Sequence, residues 1–262
     1  MKRGCVLDVA GGKGDLSWLL TNADGIESVV IDPRVTDHSK LVREAVWHAE
    51  QSTMEVPEEV IAERGPQGPL EALKLQPPYG DARHLRIFLD HHLLKAFKND
   101  DEDDWAFFWK AANDRAEGLP EMGHHQPRKT GAPDESITDT NSASIACAGR
   151  VLDSSIARDL LKSSSLIVGF HPDEATEPCI DLALSQRIPF AVVPCCVFPT
   201  LFTSRVLKSG RPVRNYDQFI QFIKEKHPKI RQSVLDFGPG GSSGLIEPRN
   251  KVLFMLSSDY DE

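Results

Sequence analysis

One stretch near the start of the chain constrains its fold more than any other. Residues 5–14 read Cys-Val-Leu-Asp-Val-Ala-Gly-Gly-Lys-Gly, an apolar strand running into a glycine-rich turn. A helical segment, Asp15-Leu-Ser-Trp-Leu-Leu20, opens directly after the turn, and a second apolar strand, Ser28-Val-Val-Ile31, ends in Asp32. Strand, glycine turn, helix, strand and terminal acid together predict a βαβ nucleotide site. The glycines let backbone N–H groups approach a ligand, and the helix N-terminus favours polar or anionic groups. An acid at the tip of the second strand stands where a ribose diol is gripped.

The loop discriminates between nucleotides. In the dinucleotide pattern G-x-G-x-x-G, Gly12 and Gly14 fit but the third glycine falls on Ser17. The pattern Asp/Glu-x-Gly/Ala-x-Gly-x-Gly is filled by Asp8, Ala10, Gly12 and Gly14. That pattern resembles motif I of class I S-adenosylmethionine (SAM) methyltransferases. The resemblance implies a Rossmann-like seven-stranded fold, mostly parallel with one antiparallel strand. It places Asp8 near the methionine moiety and Asp32 on the ribose hydroxyls, with Gly11 in the same cradle. Asp81, in Tyr79-Gly-Asp-Ala-Arg83, is a candidate for the adenine contact after the third strand, and Asp90 competes for that role.

A chain of 262 residues with 40% hydrophobic content suits one large α/β domain. The net charge of −9 argues against a broad nucleic-acid surface. Residues 203–231 are locally basic, with Arg205, Lys208, Arg211, Arg214, Lys224, Lys226, Lys229 and Arg231. A basic face and ordinary solvated side chains are both open readings. The cysteines, Cys5, Cys147, Cys179, Cys195 and Cys196, form no extracellular spacing pattern, so a reducing, intracellular and most simply cytoplasmic compartment is expected. There is no secretory h-region and no apolar run of about eighteen residues. The chain begins almost on its first strand, which suggests truncation or a removed leader, with an organelle as the destination in that case.

Along the chain, 37–64 reads as helical, and His84–Leu89 as a third strand followed by a short helix through Phe97. The charge run Asn99-Asp-Asp-Glu-Asp-Asp104 opens a polar stretch to about 145, expected to be a partly disordered insertion dispensable for the fold. Trp105, Phe107, Phe108 and Trp109 interrupt it as a small docked helix. His124 and His125 have no third metal ligand nearby in sequence. Helix 150–162, strand Ser165–Phe170, helix 176–186 and strand Phe190–Pro194 follow. Helix Tyr216–Lys226 and the strands Ile230–Phe237 and Lys251–Leu256 close the chain. Alternation of strands and helices implies a parallel sheet, and the closing pair matches the antiparallel seventh strand of the class I fold.

A second constellation follows strands four and five: Gly169-Phe-His-Pro-Asp-Glu-Ala-Thr-Glu177 and Val193-Pro-Cys-Cys-Val-Phe-Pro199. Ligands of doubly wound sheets bind at the carboxyl ends of strands, so His171, Asp173, Cys195 and Cys196 are expected to converge beside the methyl donor. His171, Ala175, Thr176, Glu177, Pro194, Cys195 and Cys196 resemble a methyltransferase-like branch of the superfamily, to which a tRNA 2′-O-methyltransferase is more distantly similar. Pro172-Asp173 replaces the Cys-Gly of that branch. Three readings stay open for the cluster: an acceptor or acid/base site, a zinc site, and close packing of small side chains. Adjacent cysteines chelate one ion poorly and no fourth ligand is evident, so no metal is assigned. The expected function is SAM-dependent methyl transfer to RNA or protein in preference to a small molecule. The alternative is a methyltransferase-like binding or assembly factor without turnover. A nicotinamide enzyme ranks third because of Ser17. Neither the acceptor nor the oligomeric state is legible.

Overall fold

In a computed structural model, residues 4–51, 75, 78–99, 101–119, 154–235 and 249–261 are described. Strands β1 (Val6–Val9), β2 (Ser28–Ile31), β3 (Arg83–Leu85), β4 (Leu166–Phe170), β5 (Phe190–Val193), β6 (Arg231–Val234) and β7 (Lys251–Met255) form one sheet in the order β3-β2-β1-β4-β5-β7-β6. Strands β3, β2, β1, β4 and β5 are parallel neighbours, and β7 runs antiparallel to both β5 and β6. This is the expected Rossmann-like α/β sheet with its single reversed strand. Central β1 and β2 are buried along their whole length, as parallel strands covered on both faces must be.

Among the described residues the helices are α1 (Asp15–Ala23), α2 (Ser39–Gln51), α3 (His91–Asn99), α4 (Glu102–Glu117), α5 (Ser154–Ser163), α6 (Thr176–Gln186) and α7 (Tyr216–Lys224). Helix α1 packs on β1 and β2, and α6 on β4 and β5. No helix among these residues is long and apolar enough to cross a membrane.

The acidic run has a different physical role from the one expected. Asp101 caps α4 by accepting from the Asp104 amide at 2.9 Å, and Glu102, Asp103 and Asp104 fill the first turn. Carboxylates there complement the positive end of the helix. Trp105, Trp109, Ala112, Asn113 and Ala116 then form a buried stripe at helical spacing. Trp105 stacks on Trp109 with ring centroids 5.6 Å apart, and its indole N–H donates to the Ser154 carbonyl at 2.7 Å. The first part of the expected insertion is therefore core. The remainder, including His124 and His125, lies outside the described residues, as do the second half of the expected helix 37–64 and Cys147.

Strand β3 is shorter than expected. The chain turns after Leu85, where the Ile87 amide donates to the Leu85 carbonyl at 2.9 Å. The Arg86 guanidinium then reaches back to the Pro33 carbonyl at 3.1 Å. Ile87 and Leu89 remain buried without joining the ladder.

Candidate functional site

The loops after β1, β4 and β5 all leave the same carboxyl edge of the sheet. Five non-glycine residues among those described have positive φ, and four of them, Ala10, His171, Asp173 and Phe198, sit in these loops. Such conformations cost about 1–3 kcal/mol each and persist where the surroundings hold them. The fifth, Arg187, closes α6.

The glycine loop is built around Asp8. A Cβ on Gly11 would come within 2.6 Å of Asp8 Oδ2, so only glycine passes over this carboxylate. The Ser17 hydroxyl donates to Asp8 Oδ2 at 3.0 Å and meets the Ser28 hydroxyl at 2.9 Å. That contact explains the serine at the third-glycine position: it serves the acid beneath the loop. Burial pushes the Asp8 carboxyl up to about 6, and the Ser17 hydrogen bonds offset only part of this. Gly14 has φ 84° and caps α1, with the His38 ring 2.8 Å from where a Cβ would stand. Ala10 turns the chain at φ 54°, and its amide donates to the Ile31 carbonyl at 2.7 Å.

Asp32 ends β2 almost wholly buried, at 1% exposure. Its carboxylate accepts the Gly12 amide at 2.9 Å and the Arg34 amide at 2.8 Å. The Arg34 guanidinium completes the set, Nε to Oδ1 at 3.0 Å and Nη2 to Oδ2 at 2.9 Å. A carboxylate offers about four lone-pair sites, and all are used. Sequence reasoning missed Arg34, two residues beyond the acid it covers.

The acids around β3 sit differently from the expectation. Asp81 precedes β3 instead of following it, so it approaches the strand from the amino-terminal side. The acid beyond the strand's carboxyl end is Asp90. Its Oδ1 accepts the Leu93 amide at 2.8 Å as α3 begins, and its Oδ2 takes Arg115 Nη2 at 2.6 Å. Asp90 therefore follows the strand, with its carboxylate engaged by α3 and Arg115, whereas Asp81 does not follow it.

Strands β4 and β5 bring the second constellation together. Phe170 pairs with Val193, and the His171 amide donates to the Val193 carbonyl at 3.0 Å. The ligand atoms of Asp173, Cys195 and Cys196 all lie within 4.8 Å of one another. The Cys195 thiol donates to Asp173 Oδ1 at 3.1 Å. Burial, together with that hydrogen bond, pushes the Cys195 thiol up to about 12. His171 stands apart from this trio. Its ring packs edge-on against Phe170 at 4.5 Å, and burial lowers its pKa against the opposing pull of Asp173. Arg34 is electrostatically coupled to Asp173, which links the glycine loop to the cluster.

Glu177, on the first turn of α6, anchors the two loops to each other. Arg205 Nε donates to its Oε2 at 2.8 Å and Lys226 Nζ to its Oε1 at 2.7 Å. Burial opposes its charge, but Lys226 and Arg205 outweigh this and hold the carboxyl below its ordinary range. Arg205 also donates Nη1 to the Val197 carbonyl at 2.9 Å and lies 3.7 Å from the Phe202 ring centre. Arg205 is thus internal and Lys226 part-buried on Glu177, while Arg231 pairs with Asp259. The run 203–231 is therefore not one continuous basic face.

The chain matches no family model, no curated protein and no solved structure at a significant level of similarity.

Proposed function

We propose that the chain is a SAM-dependent methyltransferase acting on an RNA or protein acceptor. The observation that carries this reading is the contact between the Gly12 amide and the buried Asp32 carboxylate, across the top of a seven-stranded sheet with a reversed β7. The glycine loop, the helix it opens and the acid at the tip of β2 thus stand in the arrangement that the class I resemblance implies. Bound SAM supplies an electrophilic methyl group on its sulfonium sulfur. The role of the chain is to hold donor and acceptor in line, with reacting atoms about 3–3.5 Å apart. Asp32 would accept the ribose hydroxyls once Arg34 swings away. His171, whose pKa burial lowers, would take the proton that the acceptor heteroatom loses as its new bond to carbon forms.

The filled acceptor sites of Asp32 favour a second reading, a methyltransferase-like binding or assembly factor that has lost turnover. Two measurements separate them. Calorimetry with SAM or its demethylated product reports whether Asp32 is available to a nucleoside. Incubation with methyl-labelled SAM and fractionated extract reports transfer. Binding with label entering RNA or protein supports the enzyme. Binding without transfer supports the factor, and no binding to the wild-type chain overturns both cofactor assignments.

A further inference from the structure

From the convergence of Asp173, Cys195 and Cys196, we propose that the mouth of β4 and β5 is a binding site for a thiophilic divalent cation of the zinc class. Sequence spacing argued against this, because adjacent cysteines chelate one ion poorly in tetrahedral geometry. The structure removes that objection. Strand β5 ends at Val193, and both cysteines lie beyond it, in a loop bent by Pro194 and by the left-handed Phe198. Both sulfurs and a carboxylate oxygen lie within 4.8 Å of one another. Zinc–sulfur bonds of about 2.3 Å and zinc–oxygen bonds of about 2.0–2.2 Å place tetrahedral donors roughly 3.5–3.8 Å apart. The trio therefore needs adjustments of about an ångström or less to close on one ion.

The third ligand is also not the one the sequence suggested. An imidazole would equally suit zinc beside two thiols, but Asp173, not His171, joins them. Two thiolates and a carboxylate suit zinc better than monovalent copper, which prefers sulfur alone. Chelation releases the two thiol protons to solvent and leaves a site of net charge −1. Arg249 interacts electrostatically with Cys196 and Arg34 with Asp173, so two cations face the excess negative charge. Three protein donors leave a four-coordinate ion one position for an external donor, the arrangement of catalytic zinc sites. A hydroxyl or thiol in that position becomes more acidic. This last use rests on the methyl-transfer reading, whereas the metal site itself does not.

The test uses the untagged full chain, prepared under reducing conditions without chelators. Elemental analysis should find about one zinc per chain. Cobalt(II) substitution should produce a thiolate charge-transfer band and the visible bands of tetrahedral cobalt. Cys195→Ser and Asp173→Asn should each weaken zinc binding by more than the ~10–100-fold that follows loss of an outer-shell partner. A His124→Ala/His125→Ala variant should keep the metal. Asp173 is exposed, so Asp173→Asn carries the test if the cysteine variant fails to fold. A folded wild-type chain that takes up neither zinc nor cobalt overturns the proposal. So does metal retained by Asp173→Asn and Cys195→Ser, or lost from the histidine variant. None of these readouts involves SAM, so failure here leaves the methyltransferase reading to its own experiments.

Discussion

Arg34 closes over Asp32 with two side-chain hydrogen bonds, Nε to Oδ1 at 3.0 Å and Nη2 to Oδ2 at 2.9 Å, while the carboxylate is almost completely buried. The residue expected to grip a ribose is thereby held by a neighbour two positions away. A nucleoside gripped by Asp32 would have to displace that guanidinium, and half of the Arg34 side chain is solvent-exposed, which leaves it room to move.

Replacing Arg34 with Ala should therefore tighten binding of SAM or its demethylated product. The variant keeps the backbone amides of Gly12 and residue 34 on the carboxylate, so Asp32 stays solvated within the fold. Sparing a displacement worth about 1–2 kcal/mol corresponds to about 5–30-fold in affinity. Asp32→Ala should lose roughly 1.5–3 kcal/mol. Calorimetry on the two variants checks both signs. Weaker binding by Arg34→Ala would make Arg34 a ligand contact instead of a cover.

Asp8 gives a pH dependence of stability. Its pKa is raised from 3.8 to about 6 in the folded chain, mainly by burial. A raised folded pKa means that the native state binds the proton more tightly. Its contribution is present below about pH 4 and is lost as pH rises through about 6. The difference corresponds to about 3 kcal/mol at most. Asp8→Asn should abolish this component, so denaturant midpoints of wild type and variant should converge toward pH 4 and separate above pH 6. A constant difference between them across that range would contradict the assignment.

Glu177 and Arg205 form a buried pair, with the Arg205 side chain only 3% exposed. Removing Glu177 leaves the buried Arg205 charge without a carboxylate, with only the Val197 carbonyl and aromatic rings beside it. Glu177→Ala should destabilise the fold by about 3–5 kcal/mol. Urea unfolding measures this. A cost below about 1 kcal/mol, the range of exposed pairs, would show that solvent reaches Arg205.

Trp105 tests the status of the acidic segment. Its indole is 2% exposed, stacks on Trp109 and bonds to Ser154. Trp105→Ala should cost about 3–5 kcal/mol, as removal of large buried aromatics does. A nearly unchanged melting temperature would return 102–117 to the status of a dispensable insertion.

His171 tests the proposed chemistry. His171→Ala should lower methyl transfer by about 10²–10⁴-fold, the range for loss of a general base, with SAM affinity unchanged. Single-turnover transfer and calorimetry on the same preparation separate the two. Equal transfer by variant and wild type would remove the histidine from the mechanism.

The sequence alone determined the elements whose signals are local. Apolar runs marked the cores of β1, β2, β4 and β5, and helix α6 falls on the residues expected. The glycine loop and the acid at the tip of β2 were legible because close backbone approach demands glycine, and an acid at a strand end stands out. The acids at 101–104 misled because a solvated run and a helix N-terminus share one composition. Only the packed tryptophans behind them decide between the two. Tertiary structure alone decided which side chains meet at the carboxyl edge. Left-handed turns at His171 and Asp173 put the histidine ring against Phe170 and the carboxylate against the thiols. In the same way, Arg34 reaches Asp32 only because the chain bends after β2. A side chain's direction in a loop follows from the backbone dihedrals, and these are set by the strands and helices that clamp the loop at both ends.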